Sequence, residues 1–271
     1  MTPDILVFDS GLGGLTVFEQ IASLRPRATY RYVADDAVFP YGEIPAERLV
    51  PRVREVIAPH IEARAPDVIV IACNTASTLV LPPLRAAWPR IPFVGTVPAI
   101  KPAAEQSRSR LISVLATPGT VTRDYTRDLV DSFASHCEVE LVGSRHLAAL
   151  AEDHMRGVAI DEDAVAREIA PCFVTRGGRR TDHVVLACTH YPLLLDLFRR
   201  VAPWPVEWVD PAPAIARQVE RLVLGRGFPA GDVARFAAGG EALFTSGREP
   251  DPALLRRLES LNLAPAGQGP K

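Results

Sequence analysis

Two of the four cysteines stand in matched settings. Val68-Ile-Val-Ile-Ala-Cys73-Asn74-Thr75 and Val184-Val-Leu-Ala-Cys188-Thr189-His190 are both apolar runs that end in Ala-Cys and pass into polar residues. A free thiol titrates near about 8.5, so a modest depression makes it a usable base at neutral pH. Two such groups on opposite faces of one carbon suit inversion of a weakly acidic centre, such as the α-carbon of an amino acid. One removes the proton and the other supplies a proton to the far face. Because the reaction runs both ways, each group must serve in both roles. A cysteine at a strand end is by itself more often a small hydrophobe, and Cys137 and Cys172, in polar contexts without an echo, illustrate that reading.

A carbanion at such a centre needs stabilising. Pyridoxal phosphate would require a Schiff-base lysine, and the chain has only Lys101 and Lys271, neither beside a phosphate-binding signature. Chemistry without that cofactor is therefore expected, with hydrogen-bond donors at strand ends and helix N-termini doing the stabilising. Ser10, Asn74, Thr75, Thr117, Thr120 and Thr189 occupy such positions. Asp9 ends an apolar run and precedes the turn Ser10-Gly11-Leu12-Gly13-Gly14, which fits the lining of a site, although a capping role is the simpler alternative. The turn is not a dinucleotide fingerprint, because Thr16 stands where the third glycine belongs. His190 could polarise the Cys188 thiol. Cys-x-His alone is poor evidence for a chelate, and no metal is expected.

These residues need a frame. Ile5–Phe8, Tyr30–Ala34, Val68–Ala72, Phe93–Thr96, Leu111–Ala116, Glu138–Gly143 and Val184–Ala187 read as strands, several of them apolar on both faces. Helical patterns lie between and beyond them at Leu15–Leu24, Ala46–Ala63, Thr75–Ala87, Val121–Ser135, Ala164–Thr175, Leu193–Val201 and Ile215–Leu224. This alternation predicts an α/β fold with mostly parallel sheet. The Asp9 and Thr117 corners echo each other as the cysteines do, at offsets of about 108 and about 115 residues. Two copies of one α/β unit are expected, facing each other about a pseudo-twofold axis with the strand ends at a shared cleft.

The chain has 271 residues, 48% hydrophobic and 23% charged, with a formal net charge of −2. That is a globular composition, with no electrostatic reason to expect nucleic acid or an anionic membrane as the main partner. The basic stretch Arg176–Arg180 reads as solvated loop. The start lacks a basic region followed by an apolar one, so a cytoplasmic location is expected. The scattered cysteines fit neither a disulfide framework nor a zinc module.

Phe8-Asp9-Ser10-Gly11-Leu12-Gly13-Gly14, Tyr41-Gly42, Ala72-Cys73-Asn74-Thr75-Ala76 and Ala187-Cys188-Thr189-His190-Tyr191-Pro192 together resemble the glutamate racemases of the aspartate/glutamate racemase superfamily. The resemblance covers nearly the whole chain. It implies that Cys73 exchanges the α-proton with D-glutamate and Cys188 with L-glutamate, assisted by Asp9, His190 and Glu152. It further implies that Asp9, Ser10, Pro40, Tyr41, Gly42, Asn74, Thr75, Thr117, Thr120, Thr189 and His190 hold the substrate. A homodimer is implied too, along with D-glutamate supply for peptidoglycan synthesis. The implied domains are 1–97 plus 210–271, the C-terminal segment returning to the first, and 98–209. Gly143-Ser144-Arg145-His146 departs from the Cys-Pro of many members and is closer to a subgroup in which some respond to a peptidoglycan precursor. Pro211 replaces a common serine.

Two alternatives stay open at this point. Another superfamily activity, on aspartate or a hydantoin, uses the same thiols; a decarboxylase is disfavoured because it uses a single cysteine. A two-lobed binding protein is a different class, but binding alone does not require two thiols.

Overall fold

In the computed structural model, which describes residues 2–230 and 239–266, the continuous apolar runs become strands covered on both faces. The strands are β1 (Asp4–Asp9), β2 (Thr29–Ala34), β3 (Val68–Ile71), β4 (Phe93–Gly95), β5 (Leu111–Ala116), β6 (Glu138–Gly143), β7 (Thr175–Arg176), β8 (Arg179–Arg180), β9 (His183–Ala187), β10 (Glu207–Val209), β11 (Gly240–Phe244) and β12 (Leu263–Pro265). The helices are α1 (Leu15–Leu24), α2 (Ala46–Ala63), α3 (Asn74–Ala87), α4 (Ile100–Gln106), α5 (Pro118–Val121), α6 (Asp124–Phe133), α7 (Leu147–Met155), α8 (Glu162–Ile169), α9 (Leu195–Val201), α10 (Ala212–Gly225) and α11 (Pro252–Ser260).

Two parallel sheets result, ordered β12-β11-β2-β1-β3-β4 and β10-β9-β5-β6. The four strands β2-β1-β3-β4 of the first sheet recur in the second as β6-β5-β9-β10, in the same spatial order. The sequence echo is thus a repeat of topology. Successive side chains of a strand point to opposite faces. In β1, Ile5 and Val7 accordingly join the core under α1 and α10, while Leu6 and Phe8 join the core under α2 and α3. The second sheet is sandwiched likewise. Leu115 and Leu186 pack with Val165 and Phe198, and Val114 and Val185 pack with Ile100 on the other face.

Several expected elements differ. The single helix expected over Val121–Ser135 is two, α5 and α6, because Arg123 between them is extended. The helix expected to reach Thr175 stops at Ile169. Pro171 follows in a short 3-10 turn, and proline cannot continue the helical ladder. The last expected helix begins three residues early, at Ala212, with Pro213 in its first turn where a missing N–H costs nothing. Arg176–Arg180 is not a plain loop. It is the β7–β8 hairpin turning on Gly177 and Gly178 at positive φ, with Arg176 and Arg179 paired to Glu138 and Glu140. Cys172 is not in a polar setting either, since it lies fully buried in the apolar core with Val165 and Leu186. Among the described residues, no helix is long and apolar enough to cross a membrane.

Candidate active site

Four strand ends converge between the sheets. β1 ends at Asp9, β3 leads through Ala72 to Cys73, β5 leads to Thr117 and β9 to Cys188; β1 neighbours β3, and β5 neighbours β9. One cavity is lined by Ser10, Phe39, Pro40, Tyr41, Gly42, Cys73, Asn74, Thr75, Thr117, Ala148, Cys188, Thr189 and His190. Both cysteines therefore face the same space, each from its own lobe. The free space is only about 10 Å³, about enough for one water, so the structure is closed. Room for an amino acid requires the cavity walls to move.

The two sulfurs have different surroundings. Cys73 stands at the N-terminus of α3, where the Ala76 amide and the Ser10 hydroxyl donate to it. Burial dominates, however, and with the nearby Asp9 carboxyl pushes the thiol up to about 12. Burial also raises Asp9, against the opposing pull of His190, the Gly11 and Gly14 amides and Thr189. Its carboxyl accepts from the Gly11 amide at 3.0 Å and the Thr189 hydroxyl at 3.2 Å, the second contact crossing between lobes.

Cys188 Sγ lies 3.9 Å from His190 Nδ1, and Nε2 of the same ring lies 2.9 Å from Glu152 Oε1. Burial pulls the imidazole down, but its hydrogen bonds to Cys188 and Glu152 outweigh this and hold it well above the usual histidine range. Glu152 behaves in the opposite sense. Burial pushes it up, yet His190, the Leu12 amide and Arg156 bring it below the usual carboxylate value. Glu152 and His190 thus form a buried ion pair, with the cation beside the Cys188 sulfur. Nε2 then donates to Glu152, and the Gly13 N–H, also aimed at Nε2 from 3.2 Å, is a hydrogen-bond partner of the neutral ring only.

The glycine turn of the first lobe is shaped to receive this pair. Leu12 donates its amide to Glu152 Oε1 at 2.6 Å. A Cβ on Gly11 would lie 2.3 Å from Glu152 Oε1, and one on Gly13 would lie 2.4 Å from His190 Nδ1. Any side chain at either position displaces the second lobe's catalytic candidates.

Opposite this, Thr75 Oγ1 lies 2.9 Å from Thr117 Oγ1 and 3.2 Å from Thr120 Oγ1, and the last two are 3.1 Å apart. This triangle of buried hydroxyls joins the lobes. Thr120 stands behind the cavity wall rather than on it, as do Asp9 and Glu152. Asn74 lines the cavity with both side-chain polar atoms buried and unpaired. Leaving such an amide unmatched costs about 1–3 kcal/mol, which a polar ligand group would offset. Phe39 and Ala148 were not foreseen. Phe39 sits with its ring 5.2 Å from the His190 ring, and apolar residues of this kind carry no chemical signal in the sequence. Among the described residues, no group of three His, Cys, Asp or Glu is placed to hold a metal ion.

Repeated parallel α/β lobes thus meet at a cavity to which each contributes a cysteine. The chain belongs to the Asp/Glu/Hydantoin racemase family, whose family model matches residues 18–219. It is 54% identical over 259 residues to the glutamate racemase of Brucella ovis, the match covering 96% of this chain and 92% of the relative. Its identity to the glutamate racemase of Brucella anthropi is 55% over the same length and the same shares. Among solved structures, Escherichia coli glutamate racemase with L-glutamate and the activator UDP-MurNAc-Ala is similar at TM-score 0.86 and 37% identity, with 97% of each chain covered. The Thermus thermophilus enzyme with β-chloro-D-alanine is similar at TM-score 0.74 and 29% identity, with 98% of each covered.

Proposed function

We propose that this protein interconverts L- and D-glutamate without a bound cofactor and supplies D-glutamate for peptidoglycan synthesis. The observation that carries the reading is that Cys73 and Cys188, on equivalent strands of the two lobes, line one closed cavity. Glutamate is the substrate that relatives 54% and 55% identical over 96% of this chain are named for.

In the direction from L-glutamate, Cys188 as thiolate takes the α-hydrogen, and the cationic His190, braced by Glu152, balances the charge on sulfur. Cys73, which carries its proton, delivers it to the opposite face and is left as thiolate. The reverse direction exchanges the roles, with Asp9 and the Ser10 hydroxyl beside Cys73. Asn74, Thr75, Thr117, Thr189 and the backbone of Tyr41–Gly42 hold the substrate's carboxylates and ammonium. Closure excludes water, which strengthens these contacts while the carbanion exists.

The domains fitting this mechanism are residues 1–97 plus 210–271 and residues 98–209, acting as a homodimer in the cytoplasm. The test is circular dichroism of purified protein with each enantiomer of glutamate and of aspartate, without added cofactor. Conversion of both glutamate enantiomers to the racemate supports the reading; conversion of aspartate alone, or of neither amino acid, defeats it.

A further inference from the structure

Asp35 directly follows β2, is fully buried and does not line the cavity. Its carboxylate takes hydrogen bonds from three separate elements. Arg52 on α2 delivers Nε at 2.9 Å and Nη2 at 2.6 Å, one to each oxygen. The Thr245 hydroxyl, just past β11, donates at 2.6 Å, and the Tyr41 hydroxyl donates at 2.5 Å. The adjacent Asp36 accepts from the Ser246 amide at 2.8 Å and the Ser246 hydroxyl at 2.5 Å. The end of β11 is thereby tied to the corner that leads into the cavity wall.

What this cluster holds is the wall itself. Tyr41 lines the cavity and belongs to the same core as Cys73. The next residue, Gly42, meets the second lobe so closely that a Cβ on it would lie 2.9 Å from Thr117, and one on Gly119 would lie 2.6 Å from the Gly42 carbonyl oxygen. A small displacement of Tyr41 is therefore felt at both Cys73 and Thr117. The forked arginine–carboxylate pair is the most directional charged contact that side chains make, and here its remaining acceptor capacity is spent on one cavity residue and one C-terminal residue.

We propose that Asp35 is a positioning residue for the reaction: clamped by Arg52 and Thr245, it fixes the Tyr41 hydroxyl and so the Tyr41–Gly42 wall against Cys73 and Thr117. The proposal rests on the racemase reading of that cavity. It makes the end of β11, remote from the thiols in sequence, a determinant of substrate fit.

The test uses Thr245→Val, Tyr41→Phe, Arg52→Gln and Arg52→Lys with two readouts. Steady-state kinetics on both glutamate enantiomers separates KM from kcat. Alkylation of Cys73 by iodoacetamide, without substrate, is followed by peptide mass spectrometry against the core residue Cys172 as internal reference. Thr245→Val and Tyr41→Phe should raise KM roughly tenfold with kcat moving less than about threefold, the scale of one hydrogen bond to a charged group. The Cys73 to Cys172 alkylation ratio should rise in both. Arg52→Gln should do more in each readout, and Arg52→Lys should recover part of the loss. An unchanged KM and an unchanged ratio in Thr245→Val and Tyr41→Phe overturn the proposal, even if melting temperatures fall. A parent protein inert toward both enantiomers defeats the racemase reading instead, and the alkylation ratio then still decides whether Asp35 sets the wall.

Discussion

Burial and the Asp9 carboxyl hold the Cys73 thiol at about 12, so in the resting protein near neutrality this residue carries its proton. Its thiolate fraction then climbs with every step in pH below that value, since a raised acid pKa moves ionisation toward alkali. Alkylation of Cys73 should accordingly accelerate with pH throughout the alkaline range, with no plateau near about 8.5, the value for an unperturbed thiol. A plateau there would mean that the sulfur is solvated. Across the cavity, the Glu152–His190 pair places a cation at Cys188. On the proposed mechanism, removing either sulfur removes one of the two proton carriers. Cys73→Ala and Cys188→Ala should each lower racemisation by at least about 10³-fold, the upper part of the range for losing an acid/base group, as measured by circular dichroism. These two residues were legible from their matched Ala-Cys settings. Cys172 is the small buried hydrophobe it was read as, although its setting is apolar rather than polar.

The glycine turn between β1 and α1 connects the residues to the elements that carry them. In sequence it is a flexible Gly-rich stretch lacking a nucleotide fingerprint. In the fold it is a surface cut to admit Glu152 and His190. Gly13→Ala should push the imidazole away from Cys188 and lower kcat by about 10²-fold, as misplacement of a catalytic group by about an ångström does, and should lower the melting temperature too, because the same Cβ would lie 2.7 Å from the His190 backbone nitrogen. A second element-scale device lies between α4 and β5. Asp182 accepts from the Arg108 and Ser109 amides and the Ser107 hydroxyl at the start of β5. Burial pulls its pKa up, but these bonds and His183 bring it down to about 2. A depressed carboxyl contributes stability that is complete above its unfolded pKa of about 3.9 and is lost as pH falls toward its folded value. Asp182→Asn should therefore flatten the melting-temperature curve between about pH 4 and pH 2 relative to the parent. Patterning identified β1 to β6 and β9, most of which are continuous apolar runs. It missed β7, β8, β10, β11 and β12 and the helices α4, α7 and α11, where tertiary packing rather than periodicity decides the structure.

Across the whole molecule, the repeated strand order β2-β1-β3-β4 and β6-β5-β9-β10 places two cysteine corners against each other. The sequence suggested the repeat, whereas the closed cavity and the cross-lobe contacts of Asp9, Thr75 and Glu152 needed coordinates, since they depend on how the lobes face. The Asp35 cluster was invisible for the same reason: Arg52, Tyr41 and Thr245 share no motif. A ligand that binds the folded protein and not the unfolded chain stabilises the fold by mass action. Glutamate at about a hundred times its dissociation constant should add about 2.7 kcal/mol, seen as a rise of several degrees in melting temperature, and no rise would mean that this cavity does not take the amino acid. The most direct measurement is the first turnover in deuterated water, followed by mass spectrometry and chiral chromatography. The account predicts that each glutamate enantiomer yields the opposite enantiomer with solvent deuterium at the α-carbon, without added cofactor. Inverted product that keeps its original α-hydrogen, or no deuterium from either enantiomer, would contradict it.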